Sequence, residues 1–155
     1  MQKTDLSTFS NKNYNPGNIF SRVLWYFINI IFFKSSWFPS NTIKVLILRL
    51  FGAKVGQGVI IKPGVNIKYP WKLKIGNFVW IGENVWIDNL DFVKIMDHVC
   101  ISQGSMLLCG NHNYSSTSFD LVIKPITIEE GAWIGAKCIV CPGINISSHA
   151  VLSAG

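Results

Sequence analysis

The strongest constraint on the fold is a six-residue repeat in the middle of the chain. From Ile75 to Val93 the sequence reads IGNFVW, IGENVW, IDNLDF and V, with an aliphatic residue at every sixth position. This period fits neither one face of an α-helix, with about 3.6 residues per turn, nor a flat strand, with a period of about 2.0. It fits a coil of three short strands joined by tight turns, with about 18 residues per coil. The repeat therefore predicts a parallel β-helix and disfavours a sandwich of β-hairpins.

The repeat is interrupted in ways that indicate where function lies. The rhythm begins at Val55 and slips by two residues at Tyr69–Lys72 and again near residue 94. After Leu107 the next aliphatic position is expected near residue 113. The six-residue spacing resumes only at Ile128, so 15 residues are inserted. This predicts an inserted loop at about residues 109–126. Long excursions from a regular framework are usually functional, so we expect the site in this loop.

The first third of the chain differs from the repeat in charge. Residues 1–54 hold seven Lys and Arg against one acid, whereas residues 55–155 hold seven of each. Because the repeat region is neutral, the net charge of +6 does not indicate a nucleic-acid groove. We predict an N-terminal arm and helical cap over residues 1–54, and a β-helix domain over residues 55–155.

Two apolar segments lie in this N-terminal part. The segment 23–33 is too short to cross a bilayer, which needs about 20 apolar residues, and it lacks a signal-peptide cleavage site. Asn41 as N-cap and Gly52 after the last turn predict a helix of about ten residues between them. Two interpretations remain open. The helices cap the open end of the coil, or residues 19–51 contact a membrane interface through basic and aromatic side chains.

The cysteines indicate core packing more than chemistry. Cys138 and Cys141 form a lone C-x-x-C, but Cys138 occupies the position of the repeat that takes small inward residues. We therefore predict a core thiol at Cys138 and no metal site, since no second pair has ligand spacing. Reduced cysteines are typical of a cytoplasmic protein.

Four blocks of sequence resemble a known family. They are WIGENVWIDNL from Trp80, CISQG from Cys100, GNHNY from Gly110 and GAWIGA from Gly131. The chain resembles the hexapeptide-repeat acyltransferases, in particular sugar O-acetyltransferases of the galactoside and maltose type and the colanic-acid-type polysaccharide acetyltransferases. The resemblance implies a left-handed parallel β-helix, acetyl-CoA as co-substrate, and a homotrimer with active sites in the clefts between neighbouring subunits.

His112 is the candidate catalytic residue. An alcohol is a poor nucleophile until its proton is accepted, and an imidazole can accept it at neutral pH. The GNH context resembles that of the family's catalytic histidine, which implies that His112 is the general base. We interpret His98 and His149 as solvated corner residues. The three histidines therefore do not predict the zinc site of the carbonic anhydrases built on similar coils.

Three further residues bear on the role of His112 as the general base. Asp88 occupies a position where the repeat normally has Gly. The resemblance implies that Asp88 binds the substrate by holding the sugar hydroxyl, or that it orients His112. The alternative is that Asp88 only stabilises a turn. Asp120 is a second possible orienting partner. Cys109 raises a competing mechanism through an acyl-thioester. The resemblance instead implies direct attack in a ternary complex.

The coenzyme is expected at small residues on other coils. Gly135, Ala136 and Ala154 would let the backbone approach pantetheine, and the resemblance places the thioester end near Trp133 across the subunit boundary. An outward-stacking structural Trp133 is the alternative. The sequence stops at Gly155 in mid-rung, whereas the resemblance implies further repeats, so we expect a truncated chain or a shortened coenzyme site.

These observations predict one enzymatic activity and leave one alternative function open. We expect an acetyl-CoA-dependent O-acetyltransferase that modifies a sugar hydroxyl, with a surface polysaccharide or its lipid-linked precursor as acceptor. The rival is a non-catalytic β-helix scaffold whose coil face binds partners. We expect the protein in the cytoplasm, with the inner face of the membrane as the alternative position.

Overall fold

The repeats wind into a three-sided coil in which each side is a parallel β-sheet. The computed structural model describes residues 3–155. The first face contains β1 (Lys54–Val55), β4 (Leu73–Ile75), β7 (Val93–Ile95), β12 (Ile126–Ile128) and β15 (Asn145–Ile146). The second face contains β2 (Ile60–Ile61), β5 (Trp80–Ile81), β8 (Cys100–Ile101), β13 (Trp133–Ile134) and β16 (Val151–Leu152). The third face contains β3 (Asn66–Ile67), β6 (Trp86–Asp88), β9 (Met106–Leu108) and β14 (Ile139–Val140). The predicted parallel β-helix is confirmed.

The core is a set of aliphatic ladders that run along the coil axis. On the second face the inward positions of four successive coils are isoleucines, each almost fully buried: Ile61, Ile81, Ile101 and Ile134. The residue before each points outward, because successive side chains of a strand alternate between its two sides. No coil buries its own apolar face alone, so the stacking of coils stabilises the fold.

Left-handed backbone conformations turn the chain at the first two corners of every coil. The first corner stacks Gly58, Phe78, His98, Gly131 and His149, all at positive φ. The second corner stacks Gly64, Asn84, Gly104 and Lys137, also at positive φ. His98 and His149 are exposed, as predicted for corner residues.

The third corner, between the third and first faces, holds the irregularities of the repeat. Lys74 pairs with Lys94, but Lys94 pairs with Thr127, so the sheets continue in register across the inserted segment. Lys94 and Thr127 are 33 positions apart, against 18 from Thr127 to Asn145, so the coil with the inserted segment is 15 residues longer than the next. The insertion contains an antiparallel hairpin of β10 (Gly110–His112) and β11 (Leu121–Ile123), where the sequence predicted only a loop. Pairing satisfies backbone groups that the coil cannot reach.

The N-terminal segment forms two helices. Helix α1 spans Ile19–Ile28 and continues as a π-helical turn at Asn29–Lys34, and helix α2 spans Asn41–Leu50. Asn18 caps α1, because its side chain accepts bonds from the first free N–H groups. Within residues 3–155 we find no helix with both the length and the apolar character needed to cross a membrane.

These helices lie against the open end of the coil. The strands β1, β2 and β3 are edge strands, and unpaired edges invite association unless they are covered. Trp25 Nε1 donates to a backbone carbonyl of β3 at 2.8 Å, and Asn41 Nδ2 donates to the carbonyl preceding β2 at 2.6 Å. Arg49 donates to a carbonyl of β1 at 2.8 Å. Side chains of the helices thus bond to all three exposed edges.

Of the two predicted ends of α2, only the C-terminal end is found in the structure. Gly52 has a φ of +88°, and the N–H of Ala53 bonds the carbonyl of Leu48, which is the predicted glycine-terminated end. The prediction of Asn41 as N-cap is wrong. Ser40 occupies that position, and Asn41 begins the helix because its side chain bonds the edge of β2.

Candidate active site

The imidazole of His112 is held by a residue on the far side of the hairpin turn. Its Nδ1 lies 2.8 Å from the carbonyl oxygen of Phe119, and the two rings stack with centroids 4.3 Å apart and planes 7° from parallel. A carbonyl oxygen can only accept a hydrogen bond, so Nδ1 carries the proton. The neutral ring then presents Nε2 as a proton acceptor.

His112 lines a cleft of about 490 Å³ at the third corner. Residues between 9 and 16 supply one side of this cleft, and the ring of Phe9 lies 5.6 Å from that of His112. The coil and hairpin supply the other side through Lys68, Tyr69, Leu90 and Leu121. The cleft is therefore walled by two parts of the sequence that are distant along the chain.

Asp88 ends strand β6 at the same corner. Its Oδ1 is buried and lies 2.8 Å from Lys68 Nζ, so the carboxylate and the ammonium form an ion pair. Asp88 lines a second cleft of about 530 Å³ beside α1, which shares Arg22, Lys68 and Tyr69 with the cleft of His112. The two candidate residues thus face adjoining spaces.

Neither of the two carboxylates considered as orienting partners, Asp88 and Asp120, bonds to His112. Asp88 pairs with Lys68, and Asp120 accepts hydrogen bonds from Ser116 Oγ and Ser118 Oγ, both at 2.7 Å. The Ser118 and Ser116 hydroxyls lower the pKa of Asp120. The orienting group is the Phe119 carbonyl. Because every residue has a carbonyl, no side-chain pattern in the sequence could have identified it.

Two of the four cysteines, Cys109 and Cys138, are buried packing groups. Cys109 is fully buried, and desolvation raises the pKa of its thiol to about 11. A neutral, inaccessible thiol is a poor nucleophile, so the structure does not favour the acyl-thioester alternative. Cys138 is buried in the core, as predicted, and its thiol donates to the Ser153 carbonyl at 2.8 Å. Within residues 3–155 no three potential metal ligands lie close together.

The predicted coenzyme residues lie on another side of the coil. Trp133 on the second face is 51% exposed rather than buried, and its Nε1 donates to Ser102 Oγ at 2.9 Å. Ala136 is half-buried and Ala154 is exposed. Gly135 is buried, and a Cβ there would lie 2.5 Å from a carbonyl oxygen of the next coil, so it serves coil stacking instead of lining a surface.

One chain therefore does not bring all the predicted site residues together. Trp133 belongs to the second face and Ala136 to the second corner, whereas His112 and Asp88 lie at the third corner. The cleft residues from the N-terminal part, Phe9, Tyr14 and Arg22, were not predicted. No motif marks them, because they reach the site only through the path of the folded chain.

Known proteins resemble this chain in sequence and in architecture. The protein named colanic acid biosynthesis acetyltransferase WcaF, from Escherichia coli, is 38% identical over 153 residues, covering 97% of this chain and 83% of that protein. No family model matches the sequence. A hexapeptide-repeat acetyltransferase from Vibrio cholerae superposes with a TM-score of 0.76 at 20% identity, covering 86% of this chain and 76% of the other.

A third relative was solved with a ligand. A galactoside acetyltransferase in complex with coenzyme A superposes with a TM-score of 0.75 at 25% identity, covering 87% of this chain and 68% of the other. These matches confirm the predicted fold class, a left-handed parallel β-helix with an N-terminal helical segment. Since the identity to the Escherichia coli protein extends over almost the whole sequence, this chain belongs to the hexapeptide-repeat acetyltransferase family.

Proposed function

We propose that the protein transfers an acetyl group from acetyl-CoA to a hydroxyl of a sugar, with His112 as the general base. The observation that carries this proposal is the 2.8 Å contact between His112 Nδ1 and the Phe119 carbonyl, which leaves Nε2 as acceptor in an open cleft. The relatives named for colanic acid biosynthesis and galactoside acetylation support a sugar acceptor in surface polysaccharide synthesis. The coenzyme A complex of a neighbour supports the acyl donor.

The chemistry proceeds in one ternary complex. His112 Nε2 takes the proton of the sugar hydroxyl as its oxygen attacks the thioester carbonyl. The carbon–sulfur bond then breaks, and the proton returns from the imidazolium to coenzyme A, which leaves as a thiol. Direct transfer agrees with the burial of Cys109, which removes the candidate covalent carrier next to the hairpin.

Asp88 is proposed to hold the acceptor. Its side chain remains 15% exposed and lines the cleft beside α1, so the carboxylate can accept a hydrogen bond from a sugar hydroxyl there. Lys68 offsets the carboxylate charge, and it lines both adjoining clefts. A hydrogen bond to a charged group contributes about 1.5–3 kcal/mol, which is enough to select one hydroxyl orientation.

The coenzyme is proposed to lie against a neighbouring subunit of a homotrimer. Within one chain the second face, with Trp133, is separated from the corner with His112. A neighbouring copy related by three-fold symmetry could present Trp133, Ala136 and Ala154 to His112. Exposed apolar side chains on the second and third faces, including Trp80 and Ile139, support burial against another chain.

A peripheral contact with the cytoplasmic side of a membrane is proposed for residues 19–51. Phe20 is 80% exposed and Leu50 is 75% exposed, and Leu24 and Leu50 border one surface depression, so the apolar sides of α1 and α2 adjoin. This segment contains no Asp or Glu, and its basic residues Lys34 and Arg49 are exposed, whereas Lys44 is buried. Exposed aromatic and basic residues together are typical of a membrane interface.

The activity is tested by following both products. Purified protein is incubated with acetyl-CoA and a panel of free, nucleotide-linked and lipid-linked sugars, while free thiol and the mass of the sugar are measured. We expect thiol release to depend on the sugar and to match the amount of O-acetylated product. Thiol release at the same rate without any sugar, with no acetylated product, would contradict the proposal.

A further inference from the structure

The N-terminal arm, residues 3–18, crosses the hairpin and forms a wall of the His112 cleft. At one end the N–H of Asp5 donates to the carbonyl of Thr117 in the hairpin loop at 2.8 Å. At the other end Trp71 Nε1 donates to the carbonyl of Pro16 at 3.2 Å. Between these ends Phe9 lies beside His112, and Asn11 lines the cleft. The arm thus spans the site and is attached on both sides of it.

A half-buried cluster fixes the middle of the arm to the third corner. Tyr14 Oη donates to the Leu90 carbonyl at 2.9 Å, and Lys72 Nζ donates to the same oxygen at 2.6 Å. Lys72 also donates to the Asn15 carbonyl at 3.1 Å and lies 4.7 Å from the centroid of the Tyr14 ring. Burial raises the pKa of Tyr14 and lowers the pKa of Lys72. The arm is therefore a built wall of the cleft rather than a loose tail.

The cleft contains cationic side chains and no carboxylate. Its charged lining residues are Arg22, in the first turn of α1, and Lys68 on the coil. Lys68 is paired with Asp88. Arg22 is half-buried, and its guanidinium makes no hydrogen bond or ion pair with any residue from 3 to 155. A planar guanidinium binds phosphate or carboxylate oxygens through two parallel donors, so Arg22 is suited to an anion entering the cleft.

We propose that the sugar acceptor carries an anionic group, a phosphate ester or a carboxylate, which Arg22 binds in the cleft walled by the N-terminal arm. This inference rests on the proposed function, because it assigns the acceptor to the cleft of His112. The anion would fix the sugar at the arm side of the cleft, while the accepting hydroxyl lies at Nε2. A neutral sugar would lack this attachment.

Binding of three simple sugars tests the inference without turnover. Glucose 1-phosphate, glucuronic acid and glucose are titrated against the full chain at fixed ionic strength by calorimetry, since salt screens the expected attraction. We expect at least one of the two anionic sugars to bind about tenfold or more tightly than glucose, as a charge-assisted hydrogen bond would give. Preference for the phosphate or for the carboxylate identifies which anion the cleft selects.

Two matched variants test whether Arg22 causes the preference for anionic sugars. Arg22→Gln should reduce the preference for the anionic sugar to near one, whereas Lys12→Gln, which removes an exposed charge from the arm, should keep it. Equal binding of all three sugars, no measurable binding of either anionic sugar, or an unchanged preference in Arg22→Gln would overturn the inference.

The same titration separates this inference from the proposed function. His112→Ala should retain the preference while losing acetyl transfer. If the anion preference is present but no sugar is acetylated, the proposed function fails and the anion site stands.

Discussion

The imidazole of His112 donates its Nδ1–H to the carbonyl oxygen of Phe119 across 2.8 Å, and the Phe119 ring stacks on the same imidazole. Both residues belong to the segment inserted at the third corner, so the hairpin itself orients the proposed base. The coil supplies the neighbouring cleft residues Lys68, Tyr69 and Leu90. Insertion of one hairpin into a regular framework thus places a proton acceptor beside a preformed surface.

Removal of the Phe119 ring should loosen the proposed base without unfolding the hairpin. Phe119 has a φ of +52°, which glycine adopts readily, so Phe119→Gly keeps the backbone carbonyl in place. Loss of one stacked ring pair is worth about 0.5–1.5 kcal/mol, so we expect kcat to fall by up to about tenfold with KM for acetyl-CoA unchanged. Steady-state kinetics beside Tyr114→Ala, an exposed change in the same hairpin, measure the effect. An unchanged kcat would show that the stacking has no role.

Asp88→Ala should weaken acceptor binding selectively. The substitution removes the oxygen that we propose accepts a sugar hydroxyl, and a lost charged hydrogen bond corresponds to an increase of about tenfold or more in KM for the acceptor. Asp88→Asn retains one acceptor oxygen and should recover part of the loss. KM for acetyl-CoA serves as the internal control. If thermal stability falls while both KM values stay constant, Asp88 has only a structural role at the turn.

The fold was predictable because its core repeats. Inward aliphatic residues such as Ile75, Ile81 and Ile87 recur at fixed spacing, and the same spacing locates the insertion before Ile128. The hairpin in the insertion was not predicted, since about 15 residues without periodicity do not distinguish a hairpin from a loop.

The site was predictable only where a motif names a side chain. His112 lies in a short motif, but its partner is the Phe119 carbonyl, which has no residue-specific signal. Phe9 on the arm and Arg22 on α1 reach the cleft through long-range packing, which no local sequence pattern indicates. Gly135 fitted a coenzyme slot by size, yet it is small because the next coil lies against it.

A mixing experiment tests the proposed homotrimer. His112→Ala and Trp133→Ala should each lower activity, because each removes one side of a site shared between chains. Random trimers refolded from an equal mixture should restore about a quarter of the sites, since such a site needs intact His112 in one chain and intact Trp133 in the next. Circular dichroism of each variant confirms folding. No recovery of activity on mixing would contradict a shared site.

Serine substitutions in α1 test the membrane contact. Phe20→Ser with Phe27→Ser removes two exposed rings from the helix. Each such side chain contributes about 1.5–3 kcal/mol when buried, so co-sedimentation with anionic vesicles should fall by about tenfold or more, with Thr42→Ser as the control. Neutral vesicles should bind the parent protein less. Equal sedimentation of both proteins excludes the contact, and dissociation of the oligomer in the variant would assign this surface to a second chain.

The most direct test of the account is kcat for acetyl transfer in His112→Ala beside His149→Ala. General acid–base catalysis typically contributes about 10²–10⁴-fold, and we predict a loss in this range for His112→Ala with intact folding. His149 is an exposed corner residue at a φ of +59°, so its substitution should leave kcat within about twofold. A kcat for His112→Ala equal to that of the parent protein would contradict the assignment of His112 as the base.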